Sequence, residues 1–213
     1  MNFKDKLLSS YIALEDHLED DSPLHDIRNE AIKRFEDNGF PTKKDEDWKY
    51  TSLKSLLKTD YSILPKTEDT IEFKDVKDYF LHDIDTYKVV FIDGVYSSFL
   101  SETTHDKIDV CLMSSALNKS KYKPVIEAYY NKVAKKDSLS SLNTAFAKEG
   151  AYIHIPRHTE VDKPIEIIYF STGSEATLLL QPRNLLVVGE NARPNHRKAP
   201  MSLRKPGINE LSY

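Results

Sequence analysis

His154 and His158 are the two residues whose types and spacing most resemble a metal site. A separation of four residues aligns two histidine ligands on one face of an α-helix, but Pro156 lies between them in a strand-like segment. In an extended chain at about 3.3 Å per residue the two side chains lie about 13 Å apart, too far to share one metal ion. We therefore predict that both are ordinary surface or turn histidines.

A single cysteine and two carboxylate clusters are the other groups with chemical potential. Cys111 stands between Val110 and Leu112, and an apolar setting favours a small buried side chain over an activated thiolate. The acidic runs at 19–21 and 45–47 lack the oxygen-ligand spacing and mid-loop glycine of a calcium loop. The six glycines are too far apart for a phosphate-binding loop. We expect no catalytic, metal-binding or cofactor-binding residue in this chain.

Aromatic and basic residues alternate at Trp48, Lys49 and Tyr50, as they do in proteins that bind single-stranded nucleic acids. The acidic neighbours at 45–47 make a poor electrostatic track, so we predict an aromatic plug that fixes this loop to a helical hairpin. The net charge of -4, from 30 basic and 34 acidic side chains, also disfavours a globally basic nucleic-acid binder.

Residues 1–39 are predicted to form that helical hairpin. Apolar residues recur every three or four positions from Phe3 to Leu18, which is the spacing of an amphipathic helix. A second helix is predicted to begin at Ser22-Pro23 and to end at Asn38-Gly39, because glycine favours the left-handed helix stop. We find no apolar run long enough to span a membrane and no signal peptide, and therefore expect a cytoplasmic protein.

The middle of the chain is predicted to mix helices and strands. Asp93-Gly94 separates two apolar runs and favours a type I′ hairpin turn, and a strand is predicted at 108–112. A helix is predicted at 123–136. The apolar face of this helix is predicted to consist of Val125, Tyr129 and Val133.

Short apolar runs follow one another in the last third of the sequence. They lie at 151–155, 164–170, 176–180 and 184–188. Because these runs do not alternate cleanly between apolar and polar residues, they favour strands that are covered on both faces or stacked in coils. The residues alone leave a β-sandwich and a parallel β-solenoid open.

Two sets of motifs carry a resemblance to a known family. The first set is Arg34-Phe35, Gly39-Phe40-Pro41-Thr42 and Glu46-Asp47-Trp48-Lys49-Tyr50-Thr51. The second set consists of Leu142-Asn143-Thr144-Ala145-Phe146, Gly150-Ala151-Tyr152-Ile153-His154-Ile155-Pro156, Pro164-Ile165-Glu166-Ile167 and Pro182-Arg183-Asn184-Leu185-Leu186-Val187-Val188-Gly189-Glu190-Asn191-Ala192. Together they resemble the SufD family of the SUF iron-sulfur cluster assembly machinery, over residues 1 to about 192.

The resemblance implies a non-catalytic scaffold subunit that pairs with SufB and binds the ATPase SufC in a complex that assembles an iron-sulfur cluster. It also implies a helical region followed by a right-handed parallel β-helix, which selects the solenoid. The expected fold class is therefore α+β. We expect an N-terminal helical and mixed α/β domain at 1–137, the first rungs of the β-helix at 138–192, and a disordered, basic, proline-rich tail at 193–213.

Family members are considerably longer, and this chain leaves their pattern near Ala192. We therefore expect a truncated fragment without the later rungs that pair with SufB, the histidine implicated near the cluster, or the SufC-binding C-terminus. No residue receives any of these roles, and His196 lies outside any matching motif. An unfinished solenoid has an open edge, so self-association is expected.

Two other functions remain open from the residues. A β-solenoid is also a common fold of carbohydrate-active enzymes, which use paired acids, but the predicted strands offer Glu166 alone. The second is an RNA-binding module that acts through the basic tail at 193–213.

Overall fold

The structure, a computed structural model, describes residues 2–16, 24–63, 71–81, 83–103, 106–133, 137–172, 177–194 and 202–204. The α-helices in these ranges are α1 (Phe3–Glu15), α2 (His25–Asn38), α3 (Lys54–Lys58), α4 (Phe73–Val76), α5 (Met113–Leu117), α6 (Lys123–Tyr129) and α7 (Ser138–Phe146). The strands there are β1 (Tyr61–Ser62), β2 (Tyr87–Ile92), β3 (Val95–Tyr96), β4 (Asp109–Leu112), β5 (Ala151–Ile155), β6 (Glu160–Val161), β7 (Ile165–Phe170), β8 (Thr177–Leu178), β9 (Leu185–Val188), β10 (Arg193–Pro194) and β11 (Ser202–Arg204). The fold is mixed α+β, as predicted.

The chain divides into two compact units. The first unit comprises residues 1–65, 117–148 and 175–183, and the second comprises 66–116, 149–174 and 184–213. Each unit is assembled from segments that are distant in the sequence. The domain boundaries that the sequence predicts, at 137/138 and 192/193, remain a prediction. The two units are defined by contacts between residues, and such units need not consist of contiguous segments.

The core of the first unit lies where α1, α2 and α7 bury a shared apolar cluster. Its members from these helices are Leu7, Tyr11, Leu14, Ala31, Phe35, Leu142, Ala145 and Phe146. Helix α2 ends where predicted: Gly39 has φ 65°, and its N–H donates to the Phe35 carbonyl at 2.7 Å. The two helices predicted for the 1–39 hairpin are therefore confirmed as α1 and α2. The predicted helix start at Ser22-Pro23 lies outside the described residues. Across the described ranges no helix is both long enough and apolar enough to cross a bilayer.

Helix α6 differs from its prediction in length and in its buried face. It ends at Tyr129, because Tyr130 has extended backbone and Asn131 has φ 58°. The buried side chains are Tyr122, Ile126 and Tyr130. The predicted apolar face is wrong, since Tyr129 and Val133 are 53% and 93% exposed. Both sets have the same spacing of four residues, so periodicity could not choose between them.

The β-hairpin predicted at Asp93-Gly94 is confirmed in the second unit. Asp93 has φ 47° and Gly94 has φ 83°, as a type I′ turn requires at both central positions. The Asp93 carboxylate accepts hydrogen bonds from the Thr172 N–H at 3.0 Å and the Thr172 hydroxyl at 2.6 Å. These two bonds hold the turn against the end of β7.

Parallel pairing between β2 and β7 organises the core of the second unit. The paired register runs from Tyr87 opposite Ile165 to Ile92 opposite Phe170. Strand β4 pairs antiparallel with β5, and β3 pairs antiparallel with β2. One apolar cluster joins these strands through Val89, Phe91, Val110, Ala151, Ile153, Ile165 and Ile167.

Three later strands of the second unit pair in parallel with three earlier strands. Strand β5 pairs in parallel with β9, β6 with β10 and β7 with β11, and each partner lies 33 to 36 residues further along the chain. His158 and Asn191 occupy equivalent corners, with φ 58° and φ 56°. Histidine and asparagine are among the residues that tolerate this left-handed conformation. One turn of chain therefore lies in register on the previous one.

Two of these strands fall within the tail predicted to lack regular structure. Strands β10 and β11 pair with β6 and β7, so the prediction is wrong at Arg193–Pro194 and Ser202–Arg204. The prolines exclude long elements, but short strands need only a few backbone hydrogen bonds from a neighbour. The rest of 193–213 lies outside the described residues, including His196.

Candidate functional site

The histidines that resembled a metal pair have separate settings. His154 lies in β5, where its Nδ1 is 3.2 Å from Oδ2 of Asp109 in the neighbouring β4. His158 lies at the exposed left-handed corner after β5. Within the described ranges, no three or more histidine, cysteine, aspartate or glutamate side chains group so as to hold a metal ion.

Cys111 and Glu166 both lie in strands of the second unit. Cys111 is partly buried in β4, opposite Tyr152. Glu166 is 0% exposed, and its carboxylate accepts hydrogen bonds from the Leu81 N–H at 3.2 Å and the Thr86 hydroxyl at 2.9 Å. Glu166 is therefore an internal acceptor, shielded from any substrate in solution.

The loop before α3 is stabilised by its own polar groups. The Asp45 carboxylate accepts from the Thr42 N–H at 2.7 Å and the Thr42 hydroxyl at 3.1 Å, and these bonds lower the pKa of Asp45. Trp48, in a 3₁₀ helix at Glu46–Trp48, is partly buried. Tyr50 is 89% exposed, with the Lys49 ammonium 5.5 Å from its ring centre. The predicted aromatic plug is therefore wrong for Tyr50.

The first unit brings together two motifs that lie far apart in the sequence. Arg183 donates from Nη1 to the Asn143 side-chain oxygen at 2.9 Å and from Nη2 to the Asn131 side-chain oxygen at 2.8 Å. The guanidinium group also lies 5.2 Å from the ring centre of Tyr130. A planar guanidinium suits this combined bridging and stacking, which an ammonium group cannot reproduce.

Asn143 completes the bridge from the other side. Its side-chain amide donates to the Gln181 side-chain oxygen at 3.1 Å and to the Pro182 carbonyl at 3.2 Å. Thr144 adds a hydrogen bond from its hydroxyl to the Asn131 side-chain oxygen at 3.2 Å. This network fixes the segment before β9 to α7, and the two motifs of the resemblance supply its central pair, Arg183 and Asn143.

Asn184 performs a comparable bridging role within the second unit. Its side-chain oxygen accepts hydrogen bonds from the Ala151 N–H at 2.8 Å and the Tyr169 hydroxyl at 2.7 Å. Burial raises the pKa of Tyr169 to about 12, so its phenol remains a neutral donor at physiological pH. Asn184 therefore connects the start of β5 with β7.

Gly189 allows the two stacked corners to approach closely. A Cβ atom at this position would lie 2.3 Å from the Arg157 backbone nitrogen. The Gly189 N–H donates to the Ile155 carbonyl at 2.8 Å, and the His158 N–H donates to the Glu190 carbonyl at 2.9 Å. The position thus requires glycine because of space, a reason that the sequence pattern around Gly189 does not reveal.

Sequence reasoning assigned no role to Arg183, Asn143, Asn184 or Gly189. All four lay in motifs quoted for the family resemblance, which was the available signal. Their contacts join elements rather than surround a reactive group. The candidate functional feature is therefore a set of hydrogen bonds and close contacts that hold neighbouring elements together.

Comparison with known proteins identifies the family of the chain. A family model described as the SufBD protein N-terminal region matches residues 1–167. An iron-sulfur cluster assembly SufBD family protein of Synechocystis sp. is 28% identical over 176 residues. That alignment covers 82% of this chain and 38% of the Synechocystis protein, so the chain spans well under half the length of this relative. Because the family model matches more than half of the chain, the chain belongs to the SufBD family.

Proposed function

We propose that this chain is a non-catalytic scaffold subunit of a SUF-type iron-sulfur cluster assembly complex in the cytoplasm, and that it is of the SufD type. The family match over residues 1–167 carries the proposal. The motifs around Trp48 and Arg183 support the SufD type. The cluster is the cargo of the complex, and no residue of this chain is proposed as its ligand.

We further propose that the stacked strands are the first turns of a right-handed parallel β-helix. The parallel pairings of β5 with β9, β6 with β10 and β7 with β11 support this fold. The equivalent corners at His158 and Asn191 and the close approach at Gly189 also support it. Each turn of such a solenoid contacts its neighbours, so a scaffold can extend by adding turns.

SufB-type and SufC-type proteins are the proposed partners. We place their main contacts in parts of the family without a counterpart in these 213 residues. The limited coverage of the Synechocystis relative, 38% of its length, supports this placement.

Affinity purification from the native organism tests the assembly role. With a tag on the chromosomal gene, we expect SUF subunits to be enriched above an untagged strain, because the chain belongs to their assembly. The readout is quantitative mass spectrometry of the captured proteins, and a tagged cytoplasmic protein of similar size and charge is the control. Capture without any SUF subunit would contradict the proposed function.

A binding titration with the purified SufC-type ATPase tests the placement of the contacts. Since the SufC contact is proposed to lie elsewhere in the family, we expect no saturable binding at micromolar ATPase. Tight binding would show that the contact lies in this chain and would leave the assembly role intact. The affinity purification therefore tests the assembly role, and the titration separately tests where the SufC contact lies.

Self-association through β9 is a related proposal. Among the described strands, β9 pairs with β5 and is the outer strand of the sheet β4-β5-β9. Leu186 pairs with Ile153 and Val188 with Ile155, which continues the apolar core outward. Leu186 and Val188 are 40% and 52% exposed. An outer strand with exposed apolar side chains is a template for pairing with another copy.

Lysine substitutions at β9 test this self-association. We expect the wild-type chain to form dimers or larger species, and the double variant Leu186→Lys with Val188→Lys to be monomeric in light scattering, because charge at a strand edge opposes pairing. The matched control is Val95→Lys with Phe99→Lys, which changes an exposed apolar pair elsewhere in the second unit. A wild-type chain that is a cooperatively folding monomer, or equal dissociation of the control, would refute the proposal.

Neither alternative function gains a supporting observation. Glu166 is enclosed by protein donors, which does not suit a carbohydrate hydrolase. The basic tail that favoured RNA binding lies mostly outside the described residues.

A further inference from the structure

Three lysines form a dense cationic turn at the start of α6 in the first unit. Lys119, Lys121 and Lys123 are all exposed, while Tyr122 among them is only 7% exposed. The ammonium groups of Lys119 and Lys121 lie 5.7 and 4.9 Å from the centre of the Tyr122 ring. The ring therefore attracts two cations to one place. We refer to residues 119–123 as the lysine turn.

The backbone of the lysine turn is fixed by hydrogen bonds. The Lys119 carbonyl accepts from the Tyr122 N–H at 2.9 Å and from the Lys123 N–H at 3.1 Å. The Tyr122 carbonyl accepts from the Ile126 N–H at 2.9 Å, which joins the turn to α6. Because its backbone is ordered before any partner arrives, binding loses less conformational entropy.

The charge of this surface is opposite to that of the whole chain. Between residues 117 and 133 the sequence has four lysines and one acidic residue, Glu127, whereas the chain has a net charge of -4. Lys119 and Lys123 form no ion pair with another residue in the described part of the chain. A polyanion is thus repelled by the chain in general and attracted at this turn.

We propose that the lysine turn is the docking site for an acidic segment of a partner protein. Nucleic-acid platforms stack bases on aromatic rings that are open between the cations, but the Tyr122 ring is buried. At the other end of α6, Tyr129 and Val133 are exposed and offer the apolar contact area that protein interfaces use. The surface lies wholly within the first unit and does not depend on the assignment to SUF assembly.

Fluorescence anisotropy with the full chain tests the docking site. The probes are a labelled ten-residue glutamate peptide and a labelled ten-nucleotide oligouridine. We expect the glutamate peptide to bind at low salt and to dissociate as salt rises, because exposed charges are screened. The triple variant Lys119→Gln, Lys121→Gln and Lys123→Gln should bind the peptide at least about tenfold more weakly, because it lacks the three charges that attract the peptide.

The matched control is Lys43→Gln, Lys44→Gln and Lys54→Gln, which removes three exposed lysines of the same unit. It should change the affinity less than about twofold, as expected for surface charges away from a binding site. The single variant Lys123→Gln, which removes no ring contact, should show an intermediate loss and guards against misfolding of the triple variant. Equal losses in both triple variants, no peptide binding by the wild type, or tighter binding of oligouridine than of peptide would each overturn the proposal.

Discussion

Replacing Gly189 by alanine is expected to destabilise the stacked strands of the second unit by about 2–3 kcal/mol, as overpacking against an unyielding neighbour does. The added Cβ atom would lie 2.3 Å from the Arg157 backbone nitrogen, so one corner must move away from the other. That movement weakens the hydrogen bond from Gly189 to Ile155 and the pairing of β9 with β5. Hydrogen exchange of the β5 and β9 amides should accelerate by about 30- to 150-fold, because about 1.4 kcal/mol corresponds to a factor of ten.

The adjacent Glu190→Ala variant is the control for Gly189→Ala. Glu190 is exposed, and its contact with His158 is made by its backbone carbonyl, which the substitution retains. Its stability should stay within about 0.5 kcal/mol of the wild type. Unchanged exchange in Gly189→Ala would show that the two corners do not approach as closely as described, and would remove one support for the β-helix proposal.

Removing the buried carboxylate of Glu166 is expected to destabilise the second unit by about 2–4 kcal/mol, the sum of a lost acceptor and a small cavity. In Glu166→Ala the Leu81 N–H and the Thr86 hydroxyl lose their acceptor in a site that water does not reach. Urea denaturation monitored by circular dichroism measures the loss as a lower transition midpoint. Glu166→Gln keeps a side-chain oxygen and should recover part of the stability.

Glu160→Ala is the matched control for Glu166→Ala, because it removes an exposed glutamate from β6, the strand that precedes β7 in the chain. We expect a change within about 0.5 kcal/mol, as for most surface substitutions. If the two alanine variants had equal stability, Glu166 would not act as an internal acceptor. It would then again be available for the carbohydrate chemistry that its position in a strand had left open.

Local patterns predicted many of the helices and strands well. The Asn38-Gly39 stop and the Asp93-Gly94 turn were both confirmed, because each depends on backbone preferences of one or two residues. The strand predicted at 151–155 coincides with β5. The apolar face predicted for the helix at 123–136 was wrong. Tyr129 and Tyr130 are adjacent tyrosines, so the sequence could not show which of them is buried, and tertiary packing buries Tyr130.

The motif resemblance identified the family but did not show which contacts the motif residues make. Comparison confirmed membership in the SufBD family, whereas the SufD type stays a proposal. Arg183 and Asn143 are separated by 40 residues, so their hydrogen bond could not be read from local spacing. The prediction that Tyr50 anchors its loop was wrong for a different reason, since a local contact between Thr42 and Asp45 closes the loop and leaves Tyr50 exposed.

The sequence by itself determined the helix stop at Gly39, the hairpin turn at Asp93-Gly94, the overall charge and the family. Tertiary structure alone decided that Glu166 is an internal acceptor and that Gly189 lies where two corners of the chain approach closely. It also decided which face of α6 is exposed beside the lysine turn. The physical reason is distance along the chain: Glu166 binds groups 80 and 85 residues away, and no local preference specifies such a partner.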